Sequence, residues 1–149
     1  MPKASVKRFI ECKKEQLIDL VLDIEKYPQF VPFCLDSKIY EKKQKGDLLL
    51  IIADLTIGKG PFKDTYKSDV QYNKKEDSIY VTNLDGPLKH LENKWYFKEE
   101  INVTEVSFDI DFELKNHFLN IIMTKSFQFG LDKIADAFQK RAEELFGKA

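Results

Sequence analysis

The chain has 149 residues, of which 43% are hydrophobic and 33% are charged, and a chain of this size and composition can fold without a metal or a disulfide. We expect one domain that covers residues 1–149. The net charge is −1, and Arg8 and Arg141 are the only arginines, which argues against DNA and against a partner recognised through RNA phosphates. The sequence contains no apolar run long enough to span a membrane and no signal-peptide pattern at MPKASVKRFIEC, so we expect a cytoplasmic protein.

The first third of the chain predicts a strand, a helix and an irregular apolar segment. Residues 3–11 favour a strand, and residues 13–24 favour an amphipathic helix because apolar side chains recur at i, i+3, i+4 and i+7. The next stretch, DIEKYPQFVPFC at 23–34, is too apolar for a solvated loop. Its Pro28 and Pro32 lack amide donors and disfavour helix in the preceding residue. We predict a short helical piece, bent by its prolines, over the wide end of a cavity.

From about residue 36 to residue 114, apolar and polar residues alternate with the period of a strand that has one buried face. Short polar turns separate the runs and favour antiparallel pairing of consecutive strands. The C-terminal part returns to helical period, with an apolar stripe that includes Leu131, Phe138 and Leu145. A curved sheet buries its dry face if it wraps around this helix. The predicted fold class is therefore α+β.

Motifs for nucleophilic catalysis, phosphate binding and metal binding are absent from the sequence. His90 and His117 lack neighbouring ligands at metal-binding spacing. Cys12 and Cys34 form no metal-binding pair, and we expect both to be reduced and packed. The acidic residues at 109–113 alternate onto the wet face of one strand. We therefore predict no catalytic residue, no metal and no enzymatic activity.

Three polar residues fall on dry strand faces, namely Asp64, Ser68 and Asn93. A buried polar group is costly unless it is hydrogen-bonded. One explanation is that each side chain bonds a neighbouring strand or loop. The other is that these side chains line a cavity and orient the polar head of a ligand, because binding pockets combine apolar walls with a few polar groups. Both explanations stay open at this point.

Five ordered blocks of the sequence resemble one family. They are DIEKYPQFVPFC (23–34), FKDTYKSDV (62–70), GPLKHLENKWYF (86–97), VSFDIDFELKN (106–116) and AFQKRAEELFG (137–147). Together they are similar to the motifs of the coenzyme Q-binding protein and ribosome association toxin family, a branch of the polyketide cyclase, START-like superfamily. The departures are mild: Phe33 where the family often has Trp, Leu88 for Phe, Asp64 for Glu, and Phe146 for Tyr.

The resemblance implies a helix-grip fold, in which a curved seven-stranded antiparallel sheet wraps around a long C-terminal helix and short helices follow the first strand. It also implies a tunnel between the sheet and that helix. Members of the family are associated with binding ubiquinone and supporting its use or synthesis. Some bacterial members are described as toxins that bind the large ribosomal subunit. Because mitochondrial members need a presequence, the resemblance favours a bacterial member, with contact at the inner membrane as a further expectation.

The leading hypothesis is a carrier or chaperone that binds a prenylquinone such as ubiquinone and has no other cofactor. Asp64, Ser68 and Asn93 would orient the head group. The wall of the tunnel would be formed by Phe30, Phe33, Leu55, Phe62, Tyr66, Val70, Val81, Trp95, Phe108, Ile110 and Phe112. The alternative is a translation inhibitor bound to the large ribosomal subunit, with lysines such as Lys42 and Lys74 as a local patch. An aromatase or cyclase that uses Asp64 is less favoured. The expected partners are a hydrophobic small molecule, a transient membrane contact or the ribosome.

Overall fold

This computed structural model describes residues 3–59, 62–85, 88–115 and 117–147, and it describes the backbone alone at 59, 62, 85, 88, 114, 117–127 and 129. The described residues form seven strands, two α-helices and one 3-10 helix. In chain order they are β1 (Lys3–Ile10), α1 (Lys14–Leu22), the 3-10 helix (Ile24–Gln29), β2 (Cys34–Lys45), β3 (Leu48–Lys59), β4 (Phe62–Asn73), β5 (Ser78–Asp85), β6 (Leu88–Glu100), β7 (Val103–Leu114) and α2 (His117–Phe146). The strand, helix and proline-bent helical piece expected in the first third are all present.

The strands form one antiparallel sheet in the order β1-β7-β6-β5-β4-β3-β2. Strands β2 to β7 pair consecutively, as the short turns predict, whereas β1 pairs with β7 from Lys3 opposite Asp111 to Ile10 opposite Thr104. The curved sheet wraps around α2, so the predicted seven-stranded helix-grip fold is confirmed. Within the described part of the chain, no helix is both long and apolar enough to cross a membrane.

Residues 23–34, which we call the proline-containing segment, cover part of the free edge of β2. Pro28 lies inside the 3-10 helix, which runs beside the first half of β2. The hydroxyl of Ser37 donates to the carbonyl of Ile24 at 2.7 Å, and the backbone N–H of Ile39 donates to the carboxylate of Glu25 at 3.0 Å. An open strand edge is a template for pairing with another chain, so these bonds protect β2 at the place where its sequence is least charged.

The main hydrophobic core lies between the concave face of the sheet, α1 and the C-terminal half of α2. At its centre, the aromatic rings of several residues are arranged around the ring of Phe138 on α2. The ring of Trp95 lies 5.4 Å from the ring of Phe138 and 4.3 Å from that of Phe108. Tyr27 and Phe30 meet the same Phe138 ring edge-on at 5.5 and 5.1 Å. The sheet, the helix and the proline-containing segment are therefore held together through one ring.

The outer face of β7 carries the acidic residues, as the alternation predicts. A carboxylate oxygen of Asp111 lies 3.7 Å from Nζ of Lys3 and 3.7 Å from Nε2 of His90. The carboxylate of Glu113 lies 3.3 Å from Nζ of Lys89. Partly exposed ion pairs of this kind stabilise a fold only slightly. We therefore assign these acidic residues to the outer surface, although Oδ1 of Asp111 is buried without a hydrogen-bond partner among the described residues.

Candidate ligand-binding site

A second, smaller apolar cluster lies on the concave face beyond the main core, and we call it the distal cluster. Leu91 and Phe112 are buried in it, and Tyr66, Val81 and Ile110 pack against them. These residues come from the four neighbouring strands β4, β5, β6 and β7. They lie toward the end of the sheet where β7 ends and α2 begins. Since Val81 and Ile110 also contact the main core, the two apolar regions are continuous.

Asn93 places a polar group beside the distal cluster. In the sheet it is opposite Val81 on one side and Ile110 on the other. Its side chain is 8% exposed, and Oδ1 is buried without a hydrogen-bond partner among the described residues. An unpaired buried acceptor costs about 1–3 kcal/mol. Such a cost is understandable where the acceptor serves a bound molecule, so Asn93 is the strongest candidate for contact with a ligand head group.

Ser68 and Asp64, the other two polar candidates, differ from Asn93. Ser68 is 1% exposed, and its hydroxyl donates to the carbonyl of Ala53 on the neighbouring strand at 3.2 Å, so it is already satisfied. Asp64 is exposed and accepts from the backbone N–H of Thr65 at 2.9 Å. The expectation of a dry environment for Asp64 is wrong, because this residue lies near the beginning of β4, where the sheet reaches solvent.

Tyr66 faces the interior together with a second phenol and a thiol. Burial raises the pKa of the Tyr66 phenol well above its ordinary value, and the nearby thiol of Cys34 adds to the rise. Burial also raises the pKa of Tyr27, with the nearby Tyr66 phenol as the next cause. The hydroxyl of Tyr27 donates to the carbonyl of Val21. Tyr66 is therefore a neutral hydroxyl at physiological pH, able to donate or accept a hydrogen bond.

The structure separates the predicted wall residues into two groups. One group packs in the main core and consists of Phe30, Leu55, Val70, Trp95 and Phe108. The other belongs to the distal cluster and consists of Tyr66, Val81, Ile110 and Phe112. The side chain of Phe62 lies outside the described residues. The distal cluster and Asn93 are thus the part of the predicted tunnel that combines an apolar wall with an unpaired polar atom.

The two rings of the proline-containing segment have different environments. Phe30 packs against the main core. The guanidinium of Arg141 lies 5.3 Å from its ring centre and donates to Oε1 of Gln29 at 2.8 Å. Phe33 is 36% exposed and has a φ of 69°, a left-handed conformation that costs a non-glycine residue about 1–2 kcal/mol. Its carbonyl accepts from the N–H of Gly58 at 2.9 Å. This turn fixes the path of the chain into β2.

The sequence reasoning did not include Leu91, Tyr27 or Cys34 among the site residues. Leu91 could have been found from its alternation with Asn93 on the same strand. Tyr27 lies within the proline-containing segment and Cys34 at its end, and their approach to Tyr66 depends on how that segment folds over the sheet. Both cysteines are buried and free, as expected from the sequence.

The buried thiol of Cys34 predicts a pH dependence of stability. Burial raises its pKa to about 11, whereas an unfolded cysteine ionises near pH ~8.5. As the pH rises between these values, the unfolded chain loses this proton before the folded protein does, so the stability present below pH ~8.5 is progressively lost. We expect the urea midpoint to fall more steeply over this range in the native protein than in Cys34→Ala. Equal slopes would contradict the assignment.

Comparison with known proteins agrees with this architecture. The family model described as polyketide cyclase / dehydrase and lipid transport matches residues 10–139. The mitochondrial coenzyme Q-binding protein COQ10 of Dictyostelium discoideum is 34% identical over 137 residues, which cover 90% of this chain and 65% of that protein. The ribosome association toxin RatA of Rickettsia prowazekii is 29% identical over 141 residues, which cover 93% of this chain and 94% of that protein.

A solved structure confirms the fold. The START superfamily protein from Mycobacterium smegmatis superposes with a TM-score of 0.78 at 21% identity, over 96% of this chain and 98% of that one. At this identity the likeness concerns the fold alone. Because the matched family model spans most of the sequence, the chain belongs to the polyketide cyclase / dehydrase and lipid transport family.

Proposed function

We propose that this protein binds a prenylquinone in the space bounded by the distal cluster and acts as a carrier or chaperone in respiration or quinone synthesis. The observation that carries the proposal is the unpaired Oδ1 of Asn93 within an apolar wall. The head group of the ligand lies at Asn93 and Tyr66, and its tail follows the apolar face. The proposal assigns no catalytic step, since Asp64, the carboxylate considered for a cyclase, is exposed.

Apolar contact alone is sufficient for useful affinity. Each buried CH₂ group stabilises a complex by about 0.8 kcal/mol, so about ten buried carbons of an isoprenoid tail contribute the ~8 kcal/mol that corresponds to micromolar binding. A polar contact at the head group then selects among ligands of similar hydrophobicity. The name of the COQ10 relative and the lipid-transport description of the family support this type of ligand.

The test is extraction of the protein purified from a quinone-producing bacterium, followed by mass spectrometry. Val81→Trp fills the distal cluster from β5, and we expect it to reduce the bound prenylquinone about tenfold. Tyr80→Trp places the same ring on the outer face of the same strand and is the matched control, with no expected change. If the native protein carries no prenylquinone and takes none up on reconstitution, the proposed function is wrong.

We also propose that the end of the sheet nearest the distal cluster makes transient contact with a membrane. Leu35 and Leu84 are 52% and 51% exposed at this end, and apolar side chains at that position can enter a lipid surface without a spanning helix. We expect Leu35→Ser combined with Leu84→Ser to slow quinone exchange with liposomes. Ile101→Ser is the control, because Ile101 is 90% exposed at the opposite end. Equal exchange rates would refute this contact.

A second candidate function is ribosome binding, which the structure favours through one contact. The N–H of Lys74 donates to the carbonyl of Asp47 at 2.9 Å, so the β2–β3 and β4–β5 turns lie side by side. Five exposed lysines gather at this end of the sheet, away from the proposed membrane contact: Lys42, Lys43, Lys45, Lys74 and Lys75. Relatives named RatA lend further support.

The two candidate functions can be separated because they use opposite ends of the sheet. We expect overexpression of the native protein to lower the fraction of assembled ribosomes in a sucrose gradient if the second function is correct. Replacement of Lys43, Lys45, Lys74 and Lys75 by Glu would abolish this effect, whereas Val81→Trp would leave it unchanged. An unchanged gradient with the native protein rules out the ribosomal function.

A further inference from the structure

We propose that Asn93 makes the site selective for a head group that donates a hydrogen bond, so that the protein holds a hydroquinone or phenol in preference to the oxidised quinone. This inference rests on the proposed function. Oδ1 of Asn93 is an acceptor, and it is buried without a partner among the described residues. The oxygens of an oxidised quinone are acceptors as well. Of the two forms of the head group, only the hydroquinone can donate to this atom.

The described surroundings of Asn93 supply no donor to Oδ1, and we therefore assign the missing donor to a ligand. Val81 and Ile110 are its neighbours across the sheet, and both belong to the apolar distal cluster. Leu91 and Trp95, which precede and follow it on the same face of β6, are 5% and 9% exposed. The side chains of Val81, Ile110 and Leu91 have no donor, and the indole N–H of Trp95 makes no hydrogen bond to Oδ1, which has no partner among the described residues.

The nearest hydroxyl-bearing residues on this face do not replace the ligand. Ser68 donates its proton to the carbonyl of Ala53, so that proton is already used. Tyr66 has a hydroxyl that can donate or accept, and it therefore tolerates a quinone oxygen and a hydroquinone oxygen equally. Discrimination between the two forms consequently depends on Asn93, because a carbonyl oxygen brought to Oδ1 meets a second acceptor.

The expected selectivity is large enough to measure. A buried acceptor that is left unpaired in one complex and paired in the other changes affinity by about 10- to 100-fold. A site built to pair with a hydroxyl rejects the analogue that lacks it far more strongly than an apolar pocket rejects a change in size. We therefore expect the hydroquinone to bind at least tenfold more tightly than the quinone of the same tail length.

The test is anaerobic titration calorimetry with a benzoquinone that bears a two-isoprene tail and with its hydroquinone. Asn93→Leu removes the acceptor at similar volume. We expect this variant to bind both forms equally and to melt at a higher temperature than the native protein, because the unpaired acceptor is gone. Asn83→Leu is the matched control on β5. Its Oδ1 accepts from the N–H of Leu91 at 3.0 Å, so this variant should melt lower and keep the preference.

The outcomes separate the inference from the proposed function. If the native protein binds quinone and hydroquinone equally, the inference is wrong and the proposed function stands. If it binds neither form, the proposed function is wrong and the inference falls with it. If Asn93→Leu lowers the melting temperature and keeps the native preference, Asn93 is a structural residue and the inference is overturned.

Discussion

Replacing Phe138 by alanine is expected to lower the free energy of unfolding by about 3–5 kcal/mol, the upper range for loss of a buried ring. Phe138 is 8% exposed, and the rings of Tyr27, Phe30 and Trp95 all lie within 5.5 Å of its ring centre. These rings come from the proline-containing segment and from the sheet. The gap left by the lost ring cannot close without moving α2 relative to both, so the cavity persists and destabilises the fold by its full cost.

Urea denaturation followed by tryptophan fluorescence measures this change, since Trp95 lies beside the substituted ring. Leu145→Ala is the control on the same helix. Leu145 is 53% exposed, so its truncation should change the free energy of unfolding by no more than about 0.5 kcal/mol. A loss below ~1 kcal/mol for Phe138→Ala would show that the aromatic group does not hold the helix to the sheet.

Much of the fold follows from local sequence pattern. The alternation on β7 predicts which of its residues are buried, because a strand turns successive side chains to opposite faces. The spacing of Leu131 and Phe138 predicts the buried stripe of α2 in the same way. The pairing of β1 with β7 has no local pattern. It arises because the sheet must close its face around the helix, and the family resemblance supplied the number of strands.

The site was less predictable than the fold for a physical reason. Alternation assigns a face of the sheet, but it does not tell how far along each strand that face is covered. Asp64 and Ser68 share a face of β4, yet Asp64 is exposed and Ser68 is buried. Likewise, the sequence pattern is the same for Ser68 and Asn93, because each is a polar residue on a strand face that is otherwise apolar. Only the three-dimensional neighbours show that Ser68 is satisfied and that Oδ1 of Asn93 has no partner in the described part of the chain.

The division between core and distal cluster predicts different effects on ligand binding for two identical substitutions on β7. Phe108 and Phe112 share the concave face and are 7% and 5% exposed. Phe108 packs against Trp95 in the main core, so Phe108→Ala should cost about 3–5 kcal/mol of stability. It should leave quinone affinity within about twofold, because no ligand contact is assigned to it.

Phe112→Ala should also destabilise the protein, because Phe112 is 5% exposed and truncation of a buried ring costs about 3–5 kcal/mol. Unlike Phe108→Ala, it should in addition weaken quinone affinity about tenfold. In the complex, the ring contributes apolar area against the ligand at ~25 cal/mol per Å². Denaturation and quinone titration of the two variants decide the matter: unchanged quinone binding by folded Phe112→Ala would make the distal cluster ordinary core, and the pocket would have to lie elsewhere.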